Sequence, residues 1–240
     1  MTCFFERMGR IKMPDIELLE EFHRQDVVQF LNGADNTGIE LGVAQGIFSE
    51  RMIQSGKFST FFGVDMYADT HDTEEYKAAL RKVGLFAPYK LLRMTFTEAL
   101  DLFDDHTFDF IYVDGYAHSG EEGGETMYQW YQKLKVGGVM AGDDYHEKWP
   151  LVKQSVNEFI RQTGGELMVT GKTEKTIHCQ YPSWITVKER DVEFSPDKAQ
   201  IRRGKSITKK LVRRRHLKIY LQNLLPNSVM QALDKVRKAA

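Results

Sequence analysis

Short apolar runs alternate with amphipathic stretches from residue 37 to residue 190, and few folds accommodate that rhythm. TGIELGV is brief and apolar, as a strand covered on both faces must be. FSERMIQ follows it in helical spacing and Gly56 ends that stretch. STFFGVDMY, YKLLRMT, FDFIYVDG and GGVMAGDDY repeat the strand pattern. The helical stretches EEYKAALRKVG, FTEALDLF, ETMYQWYQKLK and WPLVKQSVNEFIRQTGG succeed them in turn. Pro150 is suited to open the last of these helices and Gly164-Gly165 to close it. Such an alternation specifies an α/β protein with a doubly wound, mostly parallel sheet and helices on both faces. ELMVTGKT and SWITVKER are two further strands with no room for a helix between them. A parallel crossover takes about a dozen residues or more, so this pair is expected to be antiparallel.

The flanks read differently. IELLEEFHRQDVVQFL, residues 16–31, spaces Ile16, Leu19, Phe22, Val27, Phe30 and Leu31 in rough helical rhythm, with Asp15 as a cap. Residues 1–36 are therefore expected to form an N-terminal helical segment ahead of a domain at 37–190. After Arg190 comes a linker, and the stretch from Lys205 onward reads as two short helices divided by Pro226, a C-terminal extension at 191–240. That extension is strongly basic. Residues 197–240 hold 13 of the 33 Lys and Arg but only Asp197 and Asp234 of the 34 acids, so the net charge of −1 conceals an acidic body with a basic tail.

Other function classes are disfavoured at this level. No run approaches the roughly 20 apolar residues that span a bilayer. The stretch MTCFFERMGRIKMP has no continuous apolar region of the secretory kind, so a cytoplasmic protein is expected. Cys3 and Cys179 make no disulfide framework and no metal cluster. GKS at 204–206 lacks the first glycine of a phosphate loop, since position 199 is Ala, and no strand precedes it.

In an open parallel sheet, ligands bind beyond the carboxyl ends of the strands, near the switch in strand order. The first strand of the alternating region ends Glu40-Leu41-Gly42-Val43-Ala44-Gln45-Gly46. Its glycines let backbone approach a ligand closely, and its acid suits an amine or hydroxyl. The second strand ends in Asp65, at the spacing that suits a carboxylate on the hydroxyls of an adenosine ribose. A dinucleotide site wants G-x-G-x-x-G, yet Ala44 stands where the second glycine belongs. A cofactor without a pyrophosphate is favoured, and S-adenosylmethionine is the candidate.

IELGVAQG, FFGVDMY, FDFIYVDGYAHS and LKVGGVMAGDDY, in that order, resemble the class I S-adenosylmethionine-dependent methyltransferases, specifically the small-molecule O-methyltransferases related to macrocin O-methyltransferase. The resemblance covers roughly residues 37–190 and implies a Rossmann-like sheet of seven strands, order 3-2-1-4-5-7-6, with the seventh antiparallel. It implies Glu40, Gly42 and Gly46 around the methionine end of the cofactor, Asp65 on the ribose, and the loop from Thr95 to Thr97 near the adenine. Asp114 ends the fourth strand and Asp143-Asp144 the fifth. Three carboxylates in one crevice suit Mg²⁺, which lowers the pKa of a bound alcohol. Relatives hold Mg²⁺ at these positions; capping of the next helix is the other reading. Asp114 lies on both the cofactor and the catalytic side of that crevice. His118 is the candidate general base because its ordinary pKa lies near 6.5. The family reads D-G-x-H-S, and D-G-Y-A-H-S here is one residue longer, which also brings Tyr116 toward the pocket. His146 is a second candidate base. His71 and Asp72 read as gating residues or as solvated loop.

The sequence thus points to an enzyme that methylates a hydroxyl of a small polar acceptor, a sugar or glycosylated metabolite. A nicotinamide-dependent oxidoreductase and a noncatalytic adapter are the alternatives. The basic tail at 198–220 suits an anionic membrane, a polyanion, or the acidic body of a neighbouring subunit in a homo-oligomer. Aromatic interleaving is too sparse for specific nucleic-acid recognition.

Overall fold

Eight strands make one sheet in the order β1-β7-β8-β6-β5-β2-β3-β4. The computed structural model describes residues 15–68, 72–85, 87–115, 120–175 and 179–224. The strands are β1 (Ile16–Leu19), β2 (Asn36–Leu41), β3 (Phe58–Val64), β4 (Tyr89–Leu92), β5 (Phe108–Val113), β6 (Leu134–Gly142), β7 (Leu167–Thr170) and β8 (Trp184–Val187). The helices are α1 (Ile47–Gln54), α2 (Thr73–Ala79), α3 (Phe96–Leu100), α4 (Gly120–Gly123), α5 (Glu125–Tyr131), α6 (Pro150–Thr163) and α7 (Lys198–Leu224). All strand pairs are parallel except those of β8, which runs antiparallel to both β6 and β7.

The central strands are buried on both sides because successive side chains serve opposite faces. Ile39, Leu41, Ile111 and Val113 join Met127, Trp130, Phe159 and Trp184 in the core under α3, α5 and α6. Phe110 and Tyr112 join Phe48, Met52, Phe61 and Val139 under α1 on the other face. Pro150 opens α6, and Gly164 closes it at a φ of +74°.

Three expectations are corrected. The seven expected strands keep the order 3-2-1-4-5-7-6, as β4-β3-β2-β5-β6-β8-β7 with β8 antiparallel, but the sheet has eight strands, because residues 16–19 form an edge strand rather than a helix. Ile16 and Leu18 stay 46% and 57% exposed, so this strand is held by its parallel ladder to β7 rather than by an apolar stripe. Backbone bonds from Gly171 to the Leu19 carbonyl (2.8 Å) and from Lys172 to the Phe22 carbonyl (3.0 Å) extend that pairing. Only a 3-10 helix, Arg24–Phe30, remains of the expected N-terminal helix, with His23 as its cap in place of Asp15. The described portion of 1–36 is therefore part of the sheet and its cover.

The basic extension is one helix of 27 residues up to Leu224, and Pro226 lies outside the described residues. Its first turns seat on Gly123, where a Cβ would come within 2.6 Å of the backbone of Gln200 and Ile201. Gln200 donates to Ser155 (2.9 Å) and Lys205 pairs with Glu125. Further along, Arg215 reaches Asp72 (3.6 Å) and His216 bonds the Ala68 carbonyl (3.1 Å). The helix, about 40 Å long at the usual rise, thus runs from the elements after β5 to the loop after β3, across the carboxyl end of the sheet.

Candidate active site

The carboxyl ends of β2, β3, β5 and β6 meet in one place, and two carboxylate-centred networks join them. The first belongs to Asp65, which is 3% exposed. Its Oδ2 accepts backbone N–H bonds from Val43 and Ala44, both at 3.0 Å, and its Oδ1 accepts from Tyr67 at 3.0 Å. Tyr67 returns the tie by donating its hydroxyl to the Ala44 carbonyl (2.8 Å). The expected ribose carboxylate is thus turned inward, where it shapes the glycine loop. Ala44 and Tyr67 have φ of +47° and +49°, sparsely populated values for residues with a side chain. Charged bonds from Asp65 offset that strain.

Gly42 explains why this loop needs glycine. Its φ is +102°, and a Cβ there would lie 2.8 Å from the Asp114 carbonyl and the Gly115 nitrogen. The turns after β2 and β5 are therefore in backbone contact. Gly46, at φ +77°, then starts α1 and packs against Ala79 and Val83. Glu40 does not open toward a ligand. It is 1% exposed beneath the loop and accepts from the Ser49 hydroxyl, which also bonds the Tyr89 hydroxyl (2.8 Å). Burial pushes its carboxyl well above the usual range, against the Ser49 hydrogen bond that lowers it.

The second network corrects the metal assignment. Arg24, brought in by the 3-10 helix, is 3% exposed. Its Nη2 bonds Asp114 at 2.7 Å and its Nη1 bonds Asp143 at 3.2 Å. The guanidinium lies 4.6 Å from the Phe48 ring centroid and 5.0 Å from that of Tyr112. Asp143 also accepts from Ser183 (3.3 Å), which bonds the Tyr112 hydroxyl (2.8 Å). Two of the three expected Mg²⁺ ligands thus carry a fixed organic cation, and no group among the described residues is arranged to hold a metal. The residues do not fit the ion. One guanidinium among three acids leaves a surplus of negative charge. Burial accordingly pushes Asp143 up to about 7, against the pull of Arg24, and Asp144 up to about 8, with Asp143 adding to the rise. Asp144 is half-buried at a φ of +60°, a third strained position at the strand ends.

Other expected residues take different places. Thr97 is exposed in the first turn of α3, and Thr95 caps that helix by accepting from Glu98 (3.2 Å). Asp72 caps α2, accepting from Glu74 (3.0 Å) and Glu75 (3.1 Å). His146 packs against Tyr181 with the rings tilted and their centroids 4.9 Å apart, and its Nδ1 accepts from the Lys148 backbone (3.1 Å). His71, Tyr116 and His118 lie outside the described residues. Arg24 escaped the sequence reading because it sits in a stretch scored only for apolar rhythm. The available signal was electrostatic: three acids ending neighbouring strands demand a cation from somewhere.

Residues 39–145 match the family model described as a methyltransferase domain. That segment begins one residue before Glu40 and ends one after Asp144, so it contains both loops of the site and excludes Arg24. Solved structures agree at the level of fold. Spermidine synthase in complex with the transition state analogue AdoDATO superposes with a TM-score of 0.52 at 14% identity, covering 80% of this chain and 74% of that one. Spermidine synthase from Thermotoga maritima gives 0.51 at 14% identity with the same coverage. Cofactor-bound Rv0187 from MTB gives 0.50 at 9% identity, covering 65% of this chain and 74% of that one. No curated protein matches the sequence significantly. The architecture is thus a Rossmann-like α/β sheet whose segment 39–145 is similar to a methyltransferase domain. The glycine loop is packed by Gly42 directly on the backbone of the turn after β5, and α1 starts directly from Gly46. Among the described residues no helix is long and apolar enough to cross a membrane.

Proposed function

We propose that the chain is an S-adenosylmethionine-dependent O-methyltransferase acting on a hydroxyl of a small, polar, sugar-like acceptor. The observation that carries this reading is the contact, through Gly42 and Asp114, between the glycine loop of a segment similar to a methyltransferase domain and the acidic end of β5. The loop 42–46 and the start of α1 would hold the amino-acid end of the cofactor. Asp65 and Tyr67 keep that loop in shape from behind. When bound, S-adenosylmethionine supplies a methyl group already activated on a sulfonium, so the protein's task is alignment and proton removal. Asp114 and Asp144 offer acceptor atoms to the hydroxyls of a polyol, and a crevice rich in acids repels anionic acceptors. His118, four residues after Asp114 in the sequence, is the proposed proton acceptor.

Calorimetry with S-adenosylhomocysteine, followed by methyl-release assays against a panel of glycosides, tests the reading. Micromolar binding with turnover on a glycoside, and loss of turnover but not of binding in His118→Ala, is the expected result. Binding of NAD instead would establish the oxidoreductase, and binding of neither would leave the adapter.

The partner reading rests on α7, which has ten Lys and Arg and no acid. Ile201, Gly204, Thr208, Leu211 and Val212 turn toward the domain, while Arg203, Lys210 and Arg214 are exposed on the opposite side. Leu217, Tyr220 and Leu224 continue that outward side at 57%, 61% and 60% exposure. A basic stretch continued by exposed apolar side chains suits the surface of an anionic bilayer. Co-sedimentation with phosphatidylserine vesicles, and its loss in Lys210→Glu/Arg214→Glu, is the expected outcome. Equal binding to neutral vesicles would refute it.

A further inference from the structure

We propose that Arg24 is the resident cation of this site, a guanidinium standing where a divalent metal would otherwise organise the strand-end carboxylates, so that the chain works without a metal ion. The inference goes beyond the methyltransferase reading and does not depend on the acceptor.

Four observations carry it. The two arms of one planar guanidinium reach carboxylates from two different strands, Asp114 after β5 at 2.7 Å and Asp143 after β6 at 3.2 Å. A cation placed there does the mechanical work of a bridging metal, fixing the two turns relative to each other. The guanidinium is built in rather than resting on a surface. It is 3% exposed and lies against the rings of Phe48 and Tyr112, at 4.6 and 5.0 Å. Those faces favour a delocalised organic cation over a strongly hydrated ion. Its backbone is anchored as well. Val27, Val28 and Leu31 of the adjoining turn are buried, and the chain before it is laced to β7 and the residues beyond. Withdrawal of Arg24 to admit an ion therefore means unpacking that segment. Finally, Asp114 and Asp143 are engaged by the guanidinium and Asp144 is hydrogen-bonded by Trp149, so none of the one or two carboxylates that Mg²⁺ usually takes is left free of a partner. A divalent ion beside a fixed guanidinium is also repelled by it.

Arg24 is on this view a positioning residue. It touches neither reacting atom but holds Asp114, and through Asp114 the wall against which Gly42 packs.

Titration of Mn²⁺ followed by electron paramagnetic resonance tests the proposal without needing the acceptor, and its outcome is independent of whether S-adenosylmethionine binds. The wild-type chain is expected to show no saturable site up to millimolar Mn²⁺. Arg24→Met, which removes the charge and keeps most of the stem, is expected to gain a single site, and Arg24→Met/Asp114→Asn to lose it again. Arg24→Lys is expected to remain Mn²⁺-silent, because a point charge still occupies the pocket. A wild-type site at micromolar Mn²⁺ that disappears in Asp143→Asn overturns the proposal. Should Arg24→Met not fold, the wild-type, Asp143→Asn and Arg24→Lys titrations still decide it, since a saturable site in Arg24→Lys equally counts against a resident cation.

Discussion

Replacing Asp65 by Asn separates two roles that a strand-end carboxylate can have. The ionised group accepts at least three backbone N–H bonds at 3.0 Å, two on Oδ2 from Val43 and Ala44 and one on Oδ1 from Tyr67. An amide has one oxygen. If it takes the Oδ2 position, the glycine-loop bonds survive in weaker, uncharged form, and the amide NH₂ confronts the Tyr67 N–H. A buried donor left unpaired costs about 1–3 kcal/mol, and bonds to a charged acceptor are worth about 1.5–3 kcal/mol each against about 1 for neutral ones. One orphaned donor and two weakened bonds sum to about 2–7 kcal/mol, and the lower part of that range, about 3 kcal/mol, allows for relaxation of the loop. In a chain of this size each kcal/mol moves the midpoint by about 2–4 °C, so ligand-free Asp65→Asn is expected to melt about 6–12 °C below wild type. Differential scanning calorimetry on ligand-free protein measures this, and hydrogen exchange should show faster opening at the amides of Val43 and Ala44. A carboxylate that served only a ribose would behave otherwise. Its loss would leave the ligand-free midpoint in place and weaken only adenosine-ligand binding, and that result would refute a loop-shaping role for Asp65.

Three other outcomes follow from the same coordinates. Lys188 is fully buried and donates to the carbonyls of Tyr131 (2.9 Å) and Leu134 (2.8 Å). Lys188→Met is expected to cost about 2–4 kcal/mol, read as a lowered urea midpoint, because two buried acceptors lose their donor; a change under about 0.5 kcal/mol would show that water replaces it. Asp143 and Asp144 have folded-state pKa values raised to about 7 and about 8, and Glu40 is raised too. Groups shifted upward stabilise the fold fully below their unfolded values, about 4, and lose that contribution as pH rises through the folded ones. The melting midpoint should therefore fall from about pH 4 to about pH 8 and level off above that, less steeply in Asp144→Asn, and a midpoint that climbs over this range would contradict the assignment. Gly123→Ala should unseat the start of α7, since its Cβ would stand 2.6 Å from Gln200 and Ile201 backbone at a φ of +80°. Limited trypsin digestion at Arg202 and Arg203 should then accelerate severalfold relative to wild type, and unchanged cleavage would mean that α7 is held elsewhere.

The periodicities of residues 37–190 were enough to specify a wound α/β sheet, because strand and helix repeats are local and each run had room for only one of them. Strand ends carrying Glu40, Gly42, Gly46, Asp65, Asp114 and Asp143-Asp144 were also legible, since a glycine or an acid after an apolar run is a local signal. What each of those acids faces was not. Glu40 is sealed under α1 by Ser49, Asp65 reaches across to the loop after β2, and Asp114 and Asp143 meet a guanidinium 90 and 119 residues away in sequence. Residues 16–19 likewise became a strand only because β7 offered an open edge, a non-local partner that no window of sequence contains. Local pattern decides where backbone repeats begin and end. The charge state and direction of a buried side chain depend on which distant group closes over it, and here that is settled by the packing of Arg24, Tyr67 and Ser49 in three dimensions.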